Sequence, residues 1–481
     1  MKKYSCLLVC CVMVFNAGFA QKNNPDTAKM KKDAIANLQS KYETYKTIAH
    51  DIWGFAEVGF KETKSSALLQ NTLRESGFEV KANIAGMPTA FIASYGSGKP
   101  VIAILAEYDA LPGLSQKAVP EKSGVEGGTA GHGCGHHLFG TASVAAGIEI
   151  KKLIEQKNFK GTIRVYGCPA EEGGSGKVYM VRDGLFNDVD AAIHTHPDNK
   201  NIVMKMEFLA NSSAKFRFHG ISSHAAGSPD KGRSALDGVE ALNNMVNMMR
   251  EHVPQETRIH YVITNGGKAP NVVPDFAEVY YYVRHPKKVD VQQIFERVTK
   301  AAEGAALGTG TTMDYEIVGG THDLLLNNTL DEAMQANLLK AGGVSYTKDE
   351  MEFGKKLQAT FGFKAPGVEE AATIQPLKFE SGGGSTDVGD VSYTVPTVGV
   401  ATATWIPGTP AHSWQAVACG GTEIGTKGMM VAAKAMSLTA IDLFTNPSLL
   451  QKAKDEFVKA KGDYKYKPLL GNRKPMLNYR D

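Results

Sequence analysis

The chain has little surplus of charge of either sign. Over 481 residues, 53 Lys and Arg stand against 50 Asp and Glu. Without Lys2 and Lys3, which lie in a segment expected to be removed, the balance falls from +3 to +1. Nothing so balanced is built to hold nucleic acid or an acidic membrane surface. Cysteine is scarce too. Of 6 Cys, Cys6, Cys10 and Cys11 precede the expected cleavage point, leaving Cys134, Cys168 and Cys419. An odd number at wide spacing is no disulfide framework. There are no internal repeats, no low-complexity blocks, and no phosphate-binding or dinucleotide fingerprint placed after a strand. What is present is an ordinary globular composition, 43% hydrophobic, long enough for two or three domains.

The first twenty residues read as an export signal. Lys2 and Lys3 give a positive start, Leu7–Phe15 an apolar core, and Ala17-Gly18-Phe19-Ala20 a small-residue cleavage site. The apolar run is too short for a permanent span. The expectation is a soluble protein, periplasmic or secreted, with no membrane association once residues 1–20 are removed.

Further along, the pattern is α/β. Apolar runs at 90–95, 101–105, 162–168, 191–193 and 397–403 alternate with helical stretches such as 139–156 and 423–444, which predicts a mostly parallel, buried sheet. Between them lies strand, helix, strand, strand, helix, strand, the order of a ferredoxin-like βαββαβ unit. It is expected as a domain inserted at 210–322, dividing the larger domain into 21–209 and 323–481. The Lys-rich tail after Pro447 reads as a solvated surface segment. Cys168 and Cys419 read as core residues.

Four loops carry the chemistry. Gly131-His132-Gly133-Cys134-Gly135-His136-His137 gathers thiol and imidazole among glycines, a donor set suited to a borderline-soft divalent metal. The blander alternative is a Gly-rich loop with surface histidines. Pro169-Ala170-Glu171-Glu172-Gly173-Gly174 follows a strand, where one carboxylate can ligate while its neighbour holds a water; alone, such a pair is usually solvated surface. His194-Thr195-His196-Pro197 is expected to leave its strand, and Ala411-His412-Ser413-Trp414 to lie before the last long helix. All four fall at strand ends, where open α/β sheets bind ligands.

These motifs, with Leu138 and Gly140, resemble the dinuclear metallo-amidohydrolases and metallopeptidases, among them hippurate hydrolases, auxin-conjugate hydrolases, aminoacylases and glutamate-releasing carboxypeptidases. Ala106–Gly113, Lys177-Val178-Tyr179-Met180 and Gly384–Asp390 are most similar to the aminobenzoyl-glutamate utilisation protein B subgroup. The likeness spans about residues 45–445. It implies two divalent ions, zinc or manganese, held by Cys134, His136, Glu172, His196 and His412, with Cys134 shared and Glu171 as general base. It further implies that His224, Asn271 and Arg284 bind substrate, with His224 reaching a neighbouring subunit's site in a homodimer. Two departures stand out: His137 replaces the Asp of many relatives, and His194 is an extra imidazole.

The expected activity is hydrolysis of the amide bond of a small N-acyl amino acid of the aminobenzoyl-glutamate type. Dipeptidase or carboxypeptidase action at the same metals is the nearest alternative. A Cys134 nucleophile paired with His136 or His137 is a second alternative, and a binding protein without turnover a third.

Overall fold

The computed structural model describes residues 25–480; the signal-peptide expectation for residues 1–20 lies outside them. The larger domain is built on a seven-stranded sheet in the spatial order Glu79–Ala82, Phe91–Ser97, Gly161–Gly167, Val101–Ala106, Ala191–Asp198, Thr397–Ala403, Ile202–Val203. Its central strands, Gly161–Gly167 through Thr397–Ala403, pair in parallel. The margins are antiparallel. Every residue of Val101–Ala106 and of Thr397–Ala403 is buried, which is why these strands show continuous apolar runs rather than alternation.

Helices cover both faces. On one, His136–Glu155 and Glu423–Thr445 pack with the N-terminal helices Pro25–Ser40 and Tyr42–Phe55 against Ile102, Ile104, Ile163, Val165 and Val400. On the other, Val178–Val181, Phe186, Val388 and Val391 meet Leu105, Tyr166 and Ala192. Glu423–Thr445 is long and apolar enough to cross a membrane by composition, yet 83% of its most apolar window is buried in this core.

The second unit is a four-stranded antiparallel sheet in the order Arg258–Asn265, Phe276–His285, Ala210–His219, Thr312–Thr321. Helices Ala235–Met249 and Lys288–Thr309 lie on one of its faces, completing the ferredoxin-like arrangement. Along Phe276–His285 burial alternates strictly. Ala277, Val279, Tyr281 and Val283 face the helices, which leaves Tyr282 and Arg284 on the opposite face, toward the larger domain.

Two expectations are corrected. The tail after Pro447 is not a solvated segment. Pro447–Lys461 is a helix with Leu450 and Ala453 buried, and the chain beyond it buries Leu469 and Leu470. Arg473 donates to the carbonyls of Ile317 (2.6 Å) and Val318 in the inserted domain, while its own carbonyl accepts from Arg182 of the larger domain at 2.6 Å. Residues 463–480 therefore strap the two units together. Secondly, His194 and His196 do not leave their strand, which runs on to Asp198 by parallel pairing with Thr397–Ala403.

Candidate active site

The carboxyl ends of the central strands open into a cavity of about 560 Å³ between the two units, lined among others by Cys134, Glu171, Glu172, His196, Arg284 and His412. Each side chain arrives on a locally constrained backbone. Helix His136–Glu155 begins at Gly135, whose φ of 74° is left-handed. A Cβ there would sit 2.7 Å from Pro197, so only glycine lets the helix start this close to the strand carrying His196. Ala170 (φ 55°) and His412 (φ 56°) hold the same strained conformation without being glycine, at a cost tolerated mainly where function fixes the geometry. Ala170 is pinned by its N–H donating to Glu62 at 2.8 Å. His412 donates its backbone N–H to the Gly133 carbonyl at 2.9 Å, tying the last loop to the first.

Ligand-type atoms of Cys134, His136 and His196 all lie within 4.8 Å of one another, as do those of Cys134, Glu172 and His412. The two triads share the Cys134 thiol. His136 Nε2 and Glu172 Oε1 are buried without a hydrogen-bond partner. Glu172 Oε1 stands 3.1 Å from His412 Nε2, close but not aligned as a hydrogen bond. Donor atoms crowded together and left unsatisfied are what a set arranged around cations produces, since burying them bare is costly. The residues present therefore fit two divalent ions.

The remaining ring nitrogens are fixed from behind. His136 Nδ1 pairs with Asp109 at 2.8 Å, and Asp109 also accepts the Glu172 backbone N–H at 2.9 Å. His196 Nδ1 donates to the Pro197 carbonyl at 2.7 Å. Such outer contacts set which nitrogen faces a metal. Deeper still, Lys177 Nζ lies 2.6 Å from Glu107 and 2.7 Å from Asp387, all three fully buried. Glu107 presents its other oxygen 3.1 Å from His136 Nε2, and it forms a third close group with His136 and Glu171. Burial, then the charges of Glu107, Glu172 and Asp387, push the Glu171 carboxyl well above its ordinary range. Burial and Glu172 likewise push the Cys134 thiol up, which opposes a free thiolate nucleophile.

His137 turns away from the site and donates from Nε2 to the Gly420 carbonyl at 3.0 Å. His194 does line the cavity; both its ring nitrogens are buried without partners, and burial with the neighbouring His196 and Lys177 draws its pKa down to about 3. His224 and Asn271 are not brought to the cavity of their own chain. They lie side by side on the exposed part of the inserted unit, where Ala225 N–H donates to the Asn271 carbonyl at 3.1 Å. Sequence reasoning gave no role to Glu107, Asp109, Lys177 and Asp387. Glu107 and Asp109 directly follow the strand Val101–Ala106, and that position at a strand's carboxyl end was the available signal.

A family model for the peptidase dimerisation domain of M20 proteins matches residues 211–309. The chain is 43% identical over 446 residues to one of the subunits of p-aminobenzoyl-glutamate hydrolase from Escherichia coli strain K12, covering 87% of this chain and 93% of that protein. The chain belongs to the M20 family. Within M20 it is also 28% identical over 446 residues to the Xaa-Arg dipeptidase of Mus musculus, covering 89% and 92% of the two chains. A dinuclear metal-binding M20 peptidase from Bacillus subtilis shares the fold with a TM-score of 0.58 at 19% identity, over 84% of this chain and 99% of that one. As an M20 protein it is a metal-dependent amidohydrolase with an α/β catalytic domain and a dimerisation domain.

Proposed function

We propose that the enzyme hydrolyses the amide bond of small N-acyl amino acids of the aminobenzoyl-glutamate type, with Glu171 as general base. The observation that carries this reading is the pair of donor triads sharing Cys134, with the Glu171 carboxyl beside them in one cavity. Cys134, His136, Glu172, His196 and His412 would hold two divalent cations, zinc or manganese, whose chemistry is to polarise the substrate carbonyl and activate a water. Glu171 takes the proton of that water and delivers it to the leaving amine. Arg284 lines the cavity and binds the carboxylate of the amino acid through its guanidinium as a bidentate fork.

Peptide-bond cleavage at the same site is the second reading, supported by the identity with the Xaa-Arg dipeptidase. We further propose export after removal of residues 1–20, on the Lys2-to-Ala20 pattern. A homodimer through the inserted domain is supported by the dimerisation-domain match and by the exposed Tyr261, Val262 and Ile263 on its edge strand.

Turnover of a panel of acylated amino acids and dipeptides by metal-loaded enzyme tests the activity. Acyl amino acids should be preferred, and Glu171→Gln should lower turnover by about two to four orders of magnitude while still binding substrate. A fully active Glu171→Gln enzyme would remove Glu171 from the mechanism.

A further inference from the structure

The segment 463–480 does more than strap two domains, because its last turns enter the active site. Tyr479 packs edge-on against Phe60 with ring centroids 5.6 Å apart. Its hydroxyl donates to the Glu172 carbonyl at 2.9 Å. Arg480 Nη2 donates to the same carbonyl at 2.5 Å, and its guanidinium lies 4.8 Å from the Tyr479 ring centre. The side chain lines the cavity beside Glu172 and His412.

A guanidinium offers five N–H donors in a planar fork. Here one nitrogen is anchored, while Arg480 Nε is buried with no partner. The residue as a whole is only half-buried and lines the cavity, so the guanidinium can turn its remaining donors to an incoming acceptor. Arg284 is in the same condition, its Nε buried and unpartnered and its guanidinium over the Tyr282 ring at 5.2 Å. One cavity thus carries two guanidinium groups, one from the inserted domain and one from the strap, each with a buried Nε left without a partner.

We propose that Arg480 is a specificity-determining residue of this site and binds a second carboxylate of the substrate. The proposal rests on the N-acyl amino acid reading above and adds the residue that reads the second carboxylate. Arg284 holds the α-carboxylate and Arg480 the side-chain carboxylate. Arg480 is a specificity residue for this reaction, and Tyr479 positions it.

The test compares aminobenzoyl-glutamate with aminobenzoyl-glutamine, which has the same shape but one carboxylate fewer. In wild-type enzyme kcat/KM should favour the glutamate compound. Arg480→Ala should lower kcat/KM for glutamate by about 10- to 100-fold, mainly through KM, and for glutamine by much less. Arg480→Lys, which keeps charge but loses the fork, should fall between. Calorimetric binding of both compounds to Glu171→Gln protein, with and without Arg480→Ala, gives the same contrast without turnover. Equal losses for the two compounds, with metal content intact, would overturn the proposal and reduce Arg480 to a support for the Glu172 loop. If wild-type enzyme turns over neither compound, the activity reading fails, and the binding contrast still decides the role of Arg480.

Discussion

Lys177 shows how much of this site is held by charge rather than packing. Its ammonium is wholly buried between Glu107 and Asp387, and removing one member of such a group strands the others in a medium that solvates them poorly. Lys177→Met should cost about 3–5 kcal/mol in denaturant unfolding. Asp387→Asn should cost less, because an amide still accepts from Lys177. A second residue sets a pH dependence away from the catalytic groups. Burial lifts Asp331 from 3.8 to about 7. Its folded pKa lies above the unfolded one, so the native state binds the extra proton between those values. Stability should fall as pH rises from about 4 to 7 and level off beyond, with a ceiling of about 4 kcal/mol at 1.36 kcal/mol per unit. Asp331→Asn should flatten that slope, measurable as melting temperature against pH. Cys134, His136, Glu171 and Glu172 could be picked out from the chain because their neighbours are glycines and their motifs are short. The Lys177–Asp387 pair could not, since it joins residues 210 positions apart that only the folded sheet brings together.

Among elements, the helix His136–Glu155 is the one on which the site turns. It can approach the Ala191–Asp198 strand only because Gly135 is left-handed and has no side chain to meet Pro197. Gly135→Ala should cost about 1–3 kcal/mol for the backbone alone. It should also weaken metal binding by displacing His136, which metal titration followed by calorimetry would show. Strands such as Thr397–Ala403 were legible to the residue because continuous burial leaves an uninterrupted apolar run. The short edge strand Ile202–Val203 was not legible, having too few residues to show any period. The His194–His196 run was misjudged for a similar reason: polar side chains ended the apolar pattern while backbone pairing continued. In the segment 463–480, two buried leucines are diluted among lysines and arginines, so composition hid a structural strap.

For the whole molecule, the sequence carried the layered α/β domain and the ferredoxin-like unit but not the cavity between them, which exists only through their docking. His224 and Asn271 lie away from their own cavity, and the proposed dimer gives them a site to serve. Mixing inactive His224→Ala chains with inactive Glu171→Gln chains should restore part of the activity once subunits exchange. No recovery in a mixture shown to contain heterodimers would separate His224 from the partner's chemistry.

The proposed chemistry stands on one buried thiol shared by two cation sites while the neighbouring carboxyl does the proton transfer. Metal content decides it, measured by mass spectrometry on wild-type, Cys134→Ser and Glu171→Gln proteins prepared in parallel. The wild-type and Glu171→Gln proteins should hold about two divalent ions per chain, and Cys134→Ser should lose both. Two ions retained in Cys134→Ser would contradict the shared thiol.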